Sequence, residues 1–230
     1  MPHDFQTDLD AIAAIPAIPT ILEVVCRTTG LRFAAVARVT DDRWVCLASK
    51  DDLAFGLAEG GELVVGTTIC SEIREHRRAV AIDHVAENPD FCLHPTPVQY
   101  GFQSYISVPI VLSDGSFFGT LCAIDPHPNT LNNPSVLGMF NLFARLIAHE
   151  LDSHGRMRAM EMENEALRHA FRGGLGHDMK NTLMAMTAGT RLLSKSPLDA
   201  RGRLIVAEME GATERLSRQI GEAMDLGAAN

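Results

Sequence analysis

The chain has 230 residues, 46% hydrophobic and 21% charged, a globular balance that excludes a mainly disordered or collagen-like polypeptide and leaves room for one or two domains. Twenty Lys and Arg against 29 Asp and Glu give a net charge of −9, which disfavours non-specific binding to nucleic acid or to an anionic membrane surface. Five cysteines without a CxxC pair point to buried reduced thiols, and neither a signal peptide nor a stretch near the ~20 apolar residues of a membrane span is present, so a cytoplasmic protein is expected.

Taken in chain order, Leu9, Ile12, Ile15, Ile18, Ile21, Leu22 and Val25 recur at helical spacing. They predict a helix interrupted by Pro16 and Pro19 and ended by Gly30. Residues 33–39 and 43–48 read as strands joined by a Thr40-Asp41-Asp42 turn. A short helix is predicted over 71–78 and a strand over 79–83. Residues 104–112 and 117–124 flank Asp114-Gly115, a hairpin signal because Gly takes positive φ without steric cost. A helix capped by Ser135 follows, with Leu137, Phe140, Leu142, Phe143, Leu146, Ile147 and Leu151 apolar at three-to-four spacing.

From Asp152 the composition shifts to Met, Ala, Glu and Arg, all good helix formers. One stripe runs through Leu167, Phe171, Leu175, Met179, Leu183, Met186 and Leu193. Ser196-Pro197-Leu198-Asp199 breaks it, with Asp199 placed to cap a second helix striped by Ile205, Met209, Ala212, Leu216 and Ala223. Each stripe is narrow, so two helical hairpins are expected to pair into a dimeric four-helix bundle. His149 and His154 are spaced HExxxH, which turns the second imidazole off the first one's face and favours a solvated helix over a metal site.

The string from Phe171 to Leu183 carries the chemistry. Gly173, Gly174 and Gly176 each cost a helix roughly 1 kcal/mol against Ala, so stability alone does not select them. His177 and Asn181 stand four apart, the spacing of one helix face. Asp178 can hydrogen-bond one imidazole nitrogen and leave the other free as a nucleophile at neutral pH.

His177-Asp-Met-Lys-Asn-Thr-Leu183 resembles the H-box of bacterial sensor histidine kinases, nearest the phytochrome-like ones of proteobacteria. The resemblance runs on through Leu192-Leu193, Pro197-Leu-Asp199 and Ile220-Gly-Glu-Ala-Met-Asp225. It implies that His177 is phosphorylated, that Asp178 is its acid/base partner, and that Asn181 orients water when the regulator is dephosphorylated. Thr182 stands where the family usually carries Pro, so a weaker helix kink is expected. The implied partners are a second copy of the chain, an ATP-binding kinase domain and the receiver domain of a response regulator. These 230 residues include no such ATP-binding domain, so no cofactor is expected in this chain and ATP acts from a separate catalytic domain.

The first part resembles a GAF sensor domain. It does so through Ile82-Asp-His-Val-Ala-Glu-Asn-Pro-Asp-Phe91, Tyr105-Ile-Ser-Val-Pro-Ile110 and Gly119-Thr-Leu-Cys-Ala-Ile-Asp125. The expected class is therefore α+β: an antiparallel sheet with flanking helices over 5–151, a signalling-helix linker over 152–172, and a dimerisation and phosphotransfer hairpin over 173–230. The GAF ligand stays open. Two alternatives accompany this reading: a GAF signal-binding module whose hairpin only dimerises, and a bilin-binding photoreceptor. Cys92 lies where bilin-binding relatives attach their chromophore, but Leu93 separates it from His94, and an unmodified Cys92 in a colourless protein is expected.

Overall fold

The computed structural model describes residues 3–170 and 176–226, with side chains described over 3–169 and 179–221. The chain divides into two compact units, Met1–Arg156 and Met157–Asn230.

The first unit is built on a six-stranded antiparallel sheet of order β3-β2-β1-β6-β5-β4. Its strands are β1 (Phe33–Val39), β2 (Trp44–Asp51), β3 (Glu62–Leu63), β4 (Val80–Ile82), β5 (Ser104–Val111) and β6 (Phe117–Asp125). Every residue of β6 but the first is buried, because layers cover both faces of the sheet. On one face lie α1 (Phe5–Ala13), α2 (Ile18–Thr29) and the start of α5 (Pro134–Ala170). Ile12, Leu22, Val25, Phe140 and Ile147 pack there against Val36, Leu47, Val108 and Leu121. The other face is covered by α3 (Ile69–His76), α4 (Pro95–Tyr100) and the loop after β2.

The two expected hairpins form. Thr40 N–H donates to Arg43 O at 2.9 Å at the β1–β2 turn, and Gly115 takes φ +82° between β5 and β6. Other boundaries differ from the sequence reading. The first helix breaks over residues 14–17, yet Pro19 sits inside the first turn of α2, where its missing N–H has no carbonyl to meet. Asn133, not Ser135, caps α5: its Oδ1 accepts from Val136 N–H at 3.0 Å, with Pro134 as the first helical residue. α4 stands where the sequence predicts no helix: His94 caps a helical turn there, with Pro95 at its start, that Gly101 ends at φ +71°.

In the second unit α6 (Gly176–Ser194) and α7 (Ala200–Leu226) form the expected hairpin. Asp199 caps α7, its Oδ1 accepting from Gly202 N–H at 2.7 Å. The buried seam differs from the expected stripes. Leu183 and Thr190 of α6 and Val206 and Thr213 of α7 are buried, whereas Met186, Leu193, Ile205, Met209 and Leu216 are 43–50% exposed. The buried threonines turn their hydroxyls back onto their own helices, Thr190 to Met186 O at 3.1 Å and Thr213 to Met209 O at 2.7 Å, so burial leaves no orphan. Among the described residues no single helix is long and apolar enough to cross a membrane.

Candidate functional site

Two places gather chemistry, one in each unit. In the first, α3, α4 and the loop after β2 roof a cavity of about 40 Å³ over the sheet. Trp44 and Phe33 form part of its floor, Phe55 and Leu57 come from the loop, and Tyr100 and Phe102 close the side. None of the lining residues is charged. The loop is held by Asp51, whose carboxylate accepts from the N–H groups of Leu53, Phe55 and Gly56 at 2.9–3.0 Å. Burial would raise the Asp51 carboxyl, but these backbone donors hold it below its ordinary range. His94 Nε2 meets Glu72 Oε1 at 2.9 Å, tying the start of α4 to α3. Cys92, just before α4, is half-buried, and its Sγ lies 3.8 Å from Pro89 O.

Beneath the roof sits a cluster of soft and polar groups that sequence reasoning missed. Cys70, second residue of α3, receives the Thr120 hydroxyl at 3.3 Å and lies 3.4 Å from the Tyr105 hydroxyl. Cys122, two residues along β6 from Thr120, lines the same cavity, and its thiol donates to Ala35 O at 3.6 Å. The Trp44 indole N–H and the Ser107 hydroxyl are buried without a hydrogen-bond partner of proper geometry among the described residues. Hydrogen bonding from Cys122 pulls the Cys70 thiol below its ordinary value against the effect of burial, helped by Thr120, Tyr105 and Trp44; Cys122 is correspondingly pushed up. Burial also drives Tyr105 up, so its hydroxyl stays a donor. By contrast, burial raises Cys26 and Cys46 to about 11. A signal was available: Trp44 and Cys46 alternate on β2 as Thr120, Cys122 and Ile124 do on β6, which sets each series on one face of its strand.

In the second unit the backbone of α6 carries His177, Asp178 and Asn181 through its first two turns. The side chains of His177 and Asp178 lie outside the described residues; Asn181 is described and exposed. Spacing places His177 and Asn181 on one face of α6. One turn further a groove of about 470 Å³ runs between α6 and α7, with Leu183, Met184 and Ile220 along it and Lys180 and Arg191 as its cations. Ser217 and Thr187 add hydroxyls. Among the described residues the groove is thus lined by two cations, two hydroxyls and apolar side chains, one turn beyond these helix positions.

The GAF domain family matches residues 15–151. No curated protein matches the chain. Among solved structures, the GAF domain from an Acinetobacter phosphoenolpyruvate-protein phosphotransferase superposes with TM-score 0.50 at 10% identity, over 68% of this chain and 99% of that one. The GAF domain region of a Geobacter sulfurreducens membrane protein gives TM-score 0.50 at 15% identity, over 64% and 97%. The chromophore-binding domain of a bacteriophytochrome from R. palustris gives 0.50 at 14%, over 66% and 61%. At these identities the likeness is one of fold.

Proposed function

The chain belongs to the GAF domain family, and from that premise we propose that it is the sensor and phosphoacceptor portion of a cytoplasmic two-component histidine kinase. The observation that carries this reading is the string His177-Asp-Met-Lys-Asn-Thr-Leu183 opening the first helix of a helical hairpin that follows the GAF domain. A free imidazole nitrogen of His177 attacks the γ-phosphorus of ATP presented by a separate catalytic domain; an N–P bond forms and ADP leaves. Asp178 selects the tautomer whose nitrogen is free. The phosphoryl group then passes to an aspartate of a receiver domain, for which the groove with Lys180 and Arg191 offers a complementary surface. Asn181, on the same face, positions water when the regulator's phosphoaspartate is hydrolysed.

A homodimer belongs to this reading. Ile205, Met209 and Leu216 of α7 and Met186 and Leu193 of α6 remain 43–50% exposed in one hairpin, and a second copy covers them as a four-helix bundle. The test adds an ATP-binding kinase domain and labelled ATP. Acid-labile label is expected on His177 and is abolished by His177→Gln, while Asn181→Ala accepts phosphate but slows dephosphorylation of the regulator. Label that survives His177→Gln refutes phosphotransfer at this residue. An unlabelled wild-type chain favours the alternative of a GAF module whose hairpin only dimerises.

A further inference from the structure

The thiol cluster under α3 is used by no step of phosphotransfer. Its geometry is that of a site built around one sulfur. Thr120 donates to Cys70 Sγ at 3.3 Å, and Tyr105, whose hydroxyl keeps its proton, lies at 3.4 Å. The Trp44 N–H, buried with no properly placed acceptor of its own, and Cys122 line the same cavity. Two hydroxyl donors and the first turn of α3 therefore surround a single soft acceptor, and no carboxylate lines the cavity beside it. Convergent donors with no competing anion stabilise negative charge on sulfur, and the thiolate is the reactive form.

The cavity decides what can reach that sulfur. At about 40 Å³ it is far below the ~150 Å³ that admits benzene and close to the ~30 Å³ share of one water molecule. Its uncharged wall gives no counter-ion to an anionic or cationic visitor. What fits is a small, neutral molecule of one or two heavy atoms.

We propose that Cys70 and Cys122 form a peroxide-reactive pair, with Cys70 as the attacking sulfur, Cys122 as the resolving thiol and hydrogen peroxide as the oxidant. The Cys70 sulfur attacks one peroxide oxygen and the O–O bond breaks. The leaving hydroxide takes a proton to become water, and Cys70 is left as a sulfenic acid. Cys122 sulfur then attacks Cys70 sulfur, the S–O bond breaks, and the departing hydroxide leaves as a second water with the Cys122 proton. Two thiols lose two protons and two electrons, and one peroxide becomes two waters. Cys26 and Cys46, held protonated by burial, take no part.

The test exposes the full-length, native chain to a small excess of hydrogen peroxide, then denatures it, alkylates remaining thiols and maps the peptides by mass spectrometry. A Cys70–Cys122 cross-linked peptide lighter by two hydrogens is expected, with Cys26 and Cys46 alkylated. In Cys122→Ser the oxidation stops at Cys70 sulfenic acid, which dimedone traps. Thr120→Val keeps the side-chain shape but removes one donor, and slows Cys70 oxidation several-fold without loss of the fold by circular dichroism. The proposal is overturned if Cys70 stays reduced while the half-exposed Cys92 oxidises, if the cross-link joins other cysteines, or if Thr120→Val reacts at the wild-type rate.

Discussion

Asp125 ends β6 with its carboxylate only 2% exposed, and Arg32 donates to it three times, from its guanidinium at 2.8 and 3.0 Å and from its backbone N–H at 3.2 Å. His127 adds its backbone N–H at 2.9 Å and its ring at 3.0 Å. Burial by itself would raise the carboxyl; these partners outweigh burial and bring it down to about 2. The unfolded chain returns it to the usual carboxylate value of ~3.9, so the folded state binds fewer protons. Its contribution, roughly 2–3 kcal/mol by linkage, is complete above about pH 5 and fades as pH falls from about 4 towards 2. Asp125→Asn should therefore unfold at lower urea than wild type at pH 7, and the two curves should converge near pH 2. Equal midpoints at pH 7 would show that the Arg32 pair contributes nothing net.

At the scale of elements, β6 shows why the glycine of its motif is there. Gly119 pairs with Arg38 of β1 and Ile110 of β5, and β1 shifts register just before, between Val36 and Ala37. A methyl group at 119 would collide with the Ala37 carbonyl, a backbone atom that cannot swing aside. Gly119→Ala is expected to destabilise the first unit by about 2 kcal/mol or more, read as a lowered midpoint in thermal circular dichroism. The two ends of the motif that suggested the fold, Gly119 and Asp125, thus mark a close approach of paired strands and an ion pair. The hairpins were legible because Asp114-Gly115 and Thr40-Asp41-Asp42 encode local backbone geometry. α4 was not, because a proline at a helix start looks the same as a proline in a loop. The seam between α6 and α7 was hidden for another reason: threonines that bond their own helix can be buried, so the large apolar residues were free to face elsewhere. The cavity cluster escaped because tertiary packing joins Cys70 to Thr120, Tyr105 and Cys122 from separate strands and a helix.

At the scale of the whole chain, the first unit has two cores of its own, one on each face of the sheet, whereas among the described residues the hairpin buries only a thin seam. Their stabilities should depend differently on concentration. A chain cut after Arg156 is expected to keep its melting transition, at a midpoint that does not move with dilution. The transition assigned to residues 157–230 should rise with protein concentration, since association stabilises a folded state by mass action. Calorimetry over a hundredfold dilution of the intact chain separates the two. A hairpin transition that stays fixed would mean that the hairpin is not held by a second copy, and a first-unit midpoint that follows concentration would place the association in the GAF domain instead.

Trp44 is the sole tryptophan of the chain, and its ring stands in the floor of the cavity beside Cys70. An electron-rich sulfur next to an excited indole drains its emission, and a disulfide or sulfenic sulfur in the same place does so to a different extent. The protein therefore carries a built-in optical gauge of its own sulfur chemistry, readable without a dye and uncontaminated by any second indole.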